Sequence, residues 1–337
     1  MNRRSFLGAA SASLLTRPSS AAPTSRNKRE RMLRWLAGET EPGYTPAAFF
    51  LHFGPAYKSG SAAAARHLEF FRQTDMDFLK IQFEQSYTRQ DFLQTPKDWA
   101  KLKHEKLDFY EPLLVTVRKL VKAEKKNALI LMTLYSPFMS AGQCATAPVL
   151  LRHLEEDPEA VKKGLEILTD SQVGFVRACI REGVDGFYSS TQGSEANRFS
   201  SSAIFRNYIK PFDLVAMKEA AAACPMNILH VCDYVAPYAD YDVVLDYPGH
   251  IVNCNVKLKS GEMSGQQIVE QFGRPFMGGL DRHGILATGT PEQVEGEIRQ
   301  AVAKAPKRFI LGADCTVEAD TSWDRLRHAI SVAHRRG

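Results

Sequence analysis

The sequence predicts a (β/α)8 TIM barrel in a single domain. Eight short apolar, β-rich runs alternate along the chain with longer stretches of helical period, the pattern of parallel strands joined by helices. The glycine-rich phosphate loop that opens a dinucleotide-binding domain is missing after the first run, so an open doubly wound sheet is the less favoured alternative. The 337 residues suffice for one large barrel or for two average domains.

The elements follow in order from these runs. Strands are predicted at residues 48–53, 78–83, 128–134, 184–189, 227–231, 251–256, 275–280 and 308–313. Apolar residues recur at helical spacing over residues 63–72, 113–123, 160–181, 203–223, 264–272, 291–303 and 323–334. Thr290 and Pro291 are typical of a helix start, and Gly183 is typical of a helix end.

Composition and charge exclude several classes of protein. The chain is 44% hydrophobic and 24% charged, as in soluble globular proteins, and its apolar runs are too short to span a bilayer. The net charge is +5, and Arg3, Arg4 and Arg17 lie in the first 21 residues, which contain no acidic residue. The small excess that remains does not indicate a nucleic-acid-binding surface.

The start of the chain predicts export. Arg3 and Arg4 form a twin-arginine pattern that precedes a weakly apolar stretch over 6–15 and small residues at 19–21. We therefore expect a twin-arginine signal peptide over 1–21, a barrel over 22–337 and a periplasmic or other extracytoplasmic location. The six cysteines are an even number, which permits disulfides in an exported protein, but a chain of this length does not need them to bury a core.

Candidate ligands for a metal lie where predicted strands end, which is where barrels carry their chemistry. His230 and Cys232 alternate on one strand and therefore share a face. Cys315 follows the eighth predicted strand, whose end faces that strand across the barrel mouth. A histidine and two thiolates leave one position open, as in catalytic zinc sites, and they favour zinc over magnesium or calcium. The alternative is a hydrogen-bonded His230 with two buried, inert cysteines.

The chain resembles the superfamily of uroporphyrinogen decarboxylases and zinc-dependent cobalamin methyltransferases. Residues 29–39 are similar to the first helix of that family, 277–281 and 289–294 to its seventh strand and next helix, and 309–315 to its last strand. The resemblance implies a (β/α)8 barrel. In the methyltransferase branch it implies zinc bound by a His-x-Cys pair and a distant cysteine, which His230, Cys232 and Cys315 match.

The two branches of this superfamily imply different reactions. The methyltransferase branch implies a thiol activated by zinc, a corrinoid as methyl donor, a corrinoid protein as partner and a homodimer. The decarboxylase branch implies arginines after the first strand, but residues 50–58 contain none. We therefore expect a zinc-dependent methyltransferase acting on a small thiol. The alternatives are a carboxy-lyase for a porphyrinogen or other polycarboxylate, and a non-catalytic periplasmic protein that binds a tetrapyrrole, a corrinoid or a metal.

Further polar residues at predicted strand ends are candidates for catalysis and substrate binding. Glu84 is predicted as a general base or fourth metal ligand, with an ion pair to Arg89 as the alternative. Asp281 is predicted as a second catalytic group, with a capping role as the alternative. Asn253 is expected to face the barrel interior. The predicted substrate contacts are His52, Tyr135, Gln192, Asn255 and Arg282.

Overall fold

Seven parallel strands form one curled sheet in the computed structural model, which describes residues 27–335. The predicted signal peptide over 1–21 lies outside the described residues. The strands are β1 (Phe78–Ile81), β2 (Leu129–Tyr135), β3 (Gly186–Thr191), β4 (Ile228–Val231), β5 (Ile251–Cys254), β6 (Lys257–Leu258), β7 (Gly261–Glu262), β8 (Phe276–Leu280) and β9 (Phe309–Ala313). Within the sheet the strand order is β1-β2-β3-β4-β5-β8-β9, and an antiparallel hairpin of β6 and β7 follows β5.

Helices connect the strands and cover the sheet, whose strands are almost entirely buried, as expected for a parallel sheet. The α-helices are α1 (Lys28–Leu36), α2 (Gly60–Thr74), α3 (Leu107–Glu124), α4 (Pro137–Cys144), α5 (Ala147–Glu156), α6 (Pro158–Glu182), α7 (Ser202–Ile204), α8 (Lys210–Ala223), α9 (Gly265–Phe272), α10 (Ile285–Thr288), α11 (Pro291–Ala303) and α12 (Trp323–His334). In the part of the chain from 27 to 335, no helix is both long and apolar enough to cross a membrane.

The segment predicted as the first strand, residues 48–53, is extended but does not form a regular strand. Isolated bridges join Ala47 to Leu311 and Leu51 to Val317. On its other side, the backbone N–H of Asp77 donates to the carbonyl of Ala47 at 3.0 Å. The segment thus lies between β9 and the start of β1, but its hydrogen bonds are too widely spaced to form a ladder. The sheet has seven strands where the sequence predicts eight.

Local signals at helix ends are mostly confirmed. Thr290 and Gln293 form a reciprocal capping box at the start of α11, and Gly183 ends α6 with a φ of +97°. The predicted helix over 203–223 is not continuous, because a π-helical turn at Phe205–Ile209 precedes α8. Pro211 at the start of α8 lacks an N–H and cannot donate the helical hydrogen bond. All six cysteines are buried free thiols.

Candidate metal centre

His230, Cys232 and Cys315 come together at the carboxyl ends of β4 and β9. One ligand atom of each lies within 4.8 Å of the others, and all three residues are buried. The Cys315 Sγ and the His230 Nε2 are 3.4 Å apart. The structure thus brings together the three residues that the sequence predicts as metal ligands.

Strand pairing explains how the chain places these side chains. In the sheet register, His230 of β4 lies opposite Ser190 of β3 and Asn253 of β5. The backbone N–H of Cys232 donates to the carbonyl of Thr191 at 3.1 Å, which prolongs β4 past its last residue. Because side chains alternate along a strand, the imidazole of His230 and the thiol of Cys232 emerge on one face.

The surroundings of His230 fit a metal ligand. Its ring stacks on Tyr188 with a centroid distance of 4.9 Å, and the Tyr188 hydroxyl donates to the side chain of Asn253. The Asn253 amide in turn donates to the carbonyls of Met277 and Ala313, each at 2.9 Å, which confirms its inward orientation. Nδ1 of His230 is buried and has no hydrogen-bond partner among residues 27–335. An imidazole with an unsatisfied buried nitrogen beside two thiols is a donor set suited to zinc.

The two thiols differ in acidity. A hydrogen bond from Cys315 lowers the pKa of Cys232 despite burial, whereas the same hydrogen bond and burial raise the pKa of Cys315. The Gln192 amide Nε2 also donates to the Cys232 Sγ at 3.3 Å. This hydrogen bond contributes to the lowered pKa of Cys232. Gln192, predicted as a substrate contact, lies directly against a predicted ligand.

Arg282 links the two loops that carry the cysteines. Its Nη1 donates to the carboxylate of Asp233 at 2.8 Å and also to the carboxylate of Asp314. Its backbone N–H donates to the same Asp314 carboxylate at 2.7 Å. Asp233 directly follows Cys232, and Asp314 directly precedes Cys315. One buried guanidinium thus holds together the two segments that present the thiols.

Asn255 completes this network. Its Nδ2 donates to Asp233 at 2.7 Å and to Asp314 at 3.1 Å. Burial alone would lower the pKa of Arg282, but the carboxylates of Asp314 and Asp233 raise it. Burial raises the pKa of Asp314 even against the effect of Arg282. Sequence reasoning missed both aspartates, although each is the chain neighbour of a predicted ligand.

Glu84 and His52 form a pair beside the cluster. The His52 Nδ1 lies 2.9 Å from one oxygen of the Glu84 carboxylate and 3.0 Å from the other. The backbone N–H of Phe53 donates to the same carboxylate at 3.2 Å. The His52 side chain is 47% exposed and that of Glu84 is 13% exposed. Arg89, the alternative partner for Glu84, instead lies 4.0 Å from Asp91.

The other predicted site residues take different positions. Asp281 pairs with Lys257 at 2.7 Å and accepts the backbone N–H of His283 at 2.9 Å. Tyr135 ends β2 and packs edge-on against Phe83. Burial, followed by the nearby Glu84 carboxylate and the thiols of Cys232 and Cys315, raises the pKa of Tyr135. Tyr135 therefore lies within the electrostatic reach of the cluster, whereas Asp281 belongs to a partly exposed ion pair.

Lys80 is a buried lysine that sequence reasoning missed. It lies in β1 and is only 6% exposed. Its Nζ is 4.6 Å from the ring centroid of Phe50 and 4.6 Å from that of Tyr188. A lysine within the apolar run at 78–83 is the signal that could have found it.

Comparison with known proteins places the chain in a family. The family model for uroporphyrinogen decarboxylase (URO-D) matches residues 73–336. A methylated-thiol–coenzyme M methyltransferase of Methanosarcina mazei is 24% identical over 201 residues, which are 59% of this chain and 51% of that protein. The chain thus spans about half the length of this curated relative.

Solved structures agree in fold. A methyltransferase from Methanosarcina mazei superposes with a TM-score of 0.67 at 13% identity, covering 92% of this chain and 98% of the other. A Listeria monocytogenes protein described as a vitamin-B12 independent methionine synthase has a TM-score of 0.55 at 13% identity, covering 88% and 98% of the two chains. At this identity the structures establish the fold alone. Because the family model matches most of its length, the chain belongs to the uroporphyrinogen decarboxylase family.

Proposed function

We propose that this protein is an enzyme that transfers a methyl group to a thiol, using zinc held by His230, Cys232 and Cys315. The observation that carries the proposal is the convergence of these three buried ligand atoms within 4.8 Å. When bound, zinc would lower the pKa of a substrate thiol so that its thiolate forms near neutral pH. The curated relative, which by its name acts on methylated thiols and coenzyme M, supports a thiol as acceptor.

The surrounding residues would hold the ligands in place. The Tyr188 ring packs against the imidazole of His230, and the Gln192 amide stabilises negative charge on the Cys232 sulfur by its hydrogen bond. Arg282 joins Asp233 and Asp314 and so sets the separation of the two loops. We assign Gln192, Arg282 and Asn255 to positioning, because their polar groups already bond to the ligands or to the aspartates beside them.

Glu84 is the proposed acceptor of the thiol proton. Its carboxylate lies between the buried interior and the exposed imidazole of His52, so a proton taken up by Glu84 can pass to His52 and then to water. The sulfur lone pair then forms the new carbon–sulfur bond. The bond between the methyl group and its donor breaks, and the donor keeps that electron pair. Tyr135 is assigned to substrate contact and Asp281 to the loop that follows β8.

A corrinoid, free or carried by a partner protein, is the proposed methyl donor. A methyl group on a corrinoid is an electrophile that a thiolate can attack. Export by the twin-arginine route, a periplasmic location and a homodimer remain predictions from the sequence.

Metal content provides the first test. Full-length protein is reconstituted with zinc, and the bound metal is counted by mass spectrometry. We expect about one zinc per chain and its loss in the combined variant His230→Ala/Cys232→Ala/Cys315→Ala. The matched control is Cys179→Ala/Cys224→Ala, which removes buried thiols outside the cluster and is expected to keep the metal. A folded wild-type protein that binds no zinc would refute the proposal.

Methyl transfer provides the second test. The zinc-loaded protein is incubated with methylcobalamin and coenzyme M, and methylated thiol is measured by chromatography. We expect product with the wild type and the Cys179→Ala/Cys224→Ala control, and none with the triple variant. Decarboxylation of a porphyrinogen that survives in the triple variant would instead favour the carboxy-lyase alternative, and tight corrinoid binding without turnover would favour a binding protein.

A further inference from the structure

Lys80 is a buried lysine whose side chain forms no ion pair with any residue from 27 to 335. Its ammonium group contacts the faces of the Phe50 and Tyr188 rings. Within residues 27–335, Nζ makes neither a hydrogen bond nor an ion pair, and these two rings are the groups that it contacts directly. The residue as a whole is 6% exposed, so most of its side chain lies inside the protein.

Such a group is costly to keep in a folded protein. A buried charge normally has an ion-pair or hydrogen-bond partner, because desolvation is not repaid otherwise, and cation–π contacts return only part of the loss. Burial lowers the pKa of Lys80 to about 7, although the thiols of Cys315 and Cys232 and the Glu84 carboxylate oppose that shift. A methionine would fill the same strand position without this cost. The unpaired ammonium therefore indicates a partner that binds from outside the chain.

The location of Lys80 indicates where that partner binds. The Tyr188 ring contacts both the Lys80 ammonium and the His230 imidazole. Lys80 thus lies one aromatic ring away from a proposed metal ligand. Its charge also interacts with Cys315, Glu84 and Cys232, which places it inside the electrostatic field of the cluster.

The charges at the proposed metal site indicate the sign of the charge on the external partner of Lys80. The thiolates of Cys232 and Cys315 would balance a divalent cation, and a neutral His230 adds no charge. An acceptor that binds as a thiolate would then bring one uncompensated negative charge into a buried site. The Lys80 ammonium has the opposite charge and is available, because no carboxylate of the described chain forms an ion pair with it.

We propose that Lys80 is a positioning residue that supplies the counter-charge for an anionic acceptor thiolate and makes the site select thiolates over neutral thioethers. This inference rests on the proposed function and names the substrate class of the same site. When the thiolate sulfur takes the methyl group, the donor leaves with the electron pair and the product is a neutral thioether. Its attraction to Lys80 then disappears, which favours product release.

The test compares binding of two uncharged molecules that differ in the methyl group. The probes are 2-mercaptoethanol, which can bind as a thiolate, and 2-(methylthio)ethanol, which cannot. Their dissociation constants are measured by calorimetry on zinc-loaded full-length protein. In Lys80→Met we expect about 10–100-fold weaker binding of the thiol and less than about twofold change for the thioether. Lys80→Arg is expected to recover most of the loss.

A control variant separates this effect from loss of any lysine that packs over an aromatic ring. Lys210 also lies over an aromatic ring, with its Nζ 5.8 Å from the centroid of Tyr247, but it has an ion pair with Asp246 at 2.6 Å. Lys210→Met is expected to leave the affinity for both probes unchanged. In the metal-free protein, Lys80→Met and Lys80→Gln are expected to raise the melting temperature because an unpaired buried charge is removed.

The outcomes distinguish the two proposals. If wild-type protein binds zinc and thiol, but Lys80→Met and Lys80→Gln bind the thiol as tightly as wild type, the role of Lys80 is wrong and the proposed function stands. Equal weakening for thiol and thioether, or a lower melting temperature in both variants, would mean that Lys80 is structural and would also overturn the inference. A wild-type protein that binds neither zinc nor thiol overturns the proposed function itself.

Discussion

Replacement of Arg282 by methionine tests whether one guanidinium holds the two cysteine loops together. The side chains of Asp233 and Asp314 are each 8% exposed, and that of Arg282 is 10% exposed. Without the arginine, two carboxylates stay buried with Asn255 as a remaining amide partner. Breaking a buried ion pair by removing one partner costs about 3–5 kcal/mol. This is a large part of the roughly 5–15 kcal/mol by which folded proteins are usually stable.

Denaturant unfolding of the metal-free protein at neutral pH measures this cost. Arg282→Met is expected to lower the unfolding free energy by about 3–5 kcal/mol. The control is Arg299→Met, since Arg299 is 55% exposed and pairs with Glu295 at 2.7 Å, and an exposed pair contributes less than about 1 kcal/mol. Adding Asp233→Asn and Asp314→Asn to Arg282→Met removes the unpaired charges and is expected to recover about half of the loss.

Zinc affinity gives a second readout for the same variant. The loops held by Arg282 carry Cys232 and Cys315, so loss of the network is expected to weaken zinc binding about 10–100-fold. If the unfolding free energy of Arg282→Met lies within about 1 kcal/mol of wild type, or if Arg299→Met loses as much, Arg282 does not hold the two cysteine loops together. Recovery of stability by the added asparagines without recovery of zinc affinity would identify the guanidinium, rather than charge neutralisation, as the feature that sets the loop geometry.

Two further predictions concern stability and its pH dependence. Gly279→Ala is expected to lower the unfolding free energy by about 1–3 kcal/mol. The reason is that Gly279 has a φ of +98° and that an added Cβ would lie 2.9 Å from Phe309. The control is Gly296→Ala in α11, where a Cβ meets nothing within 4 Å, and it should leave the unfolding free energy unchanged in the same denaturant assay. Burial raises the pKa of Asp213 to about 7. The contribution of Asp213 to the free energy of unfolding is therefore most favourable below the unfolded-state pKa of about 4, and it is lost as pH rises toward 7. Asp213→Asn should therefore gain stability over wild type between about pH 4 and pH 7, by on the order of 2–4 kcal/mol, and a pH-independent difference would contradict this sign.

The sequence predicts those site residues that a short sequence pattern marks. His230 and Cys232 share a face because strand side chains alternate, and Cys315 follows from its place after the last strand together with the family resemblance. These three are the residues that the fold brings within 4.8 Å. Glu84 and His52 were each recognised as strand-end residues, but their mutual hydrogen bond joins segments 32 positions apart, and no local pattern encodes that pairing.

Contacts between residues that are distant in the chain could not be predicted from the sequence. Arg282 is predicted to contact substrate, and the structure shows in addition that it pairs with two carboxylates. Its partners, Asp233 and Asp314, lie 49 and 32 positions away. Lys80 was missed for a related reason, since its burial is decided by the rings of Phe50 and Tyr188 and not by its neighbours in β1.

The sequence by itself determined the alternation of strands and helices, the family and the identity of the three candidate ligands, because periodicity, capping and short motifs act over a few residues. Only the tertiary structure decided that isolated bridges at Ala47 and Leu51 replace the first predicted strand. It also decided that Arg282 binds two carboxylates and that Lys80 pairs with no carboxylate between residues 27 and 335. The physical reason is that hydrogen-bond ladders, ion pairs and desolvation depend on which distant groups the fold brings together, and a single chain position does not contain that information.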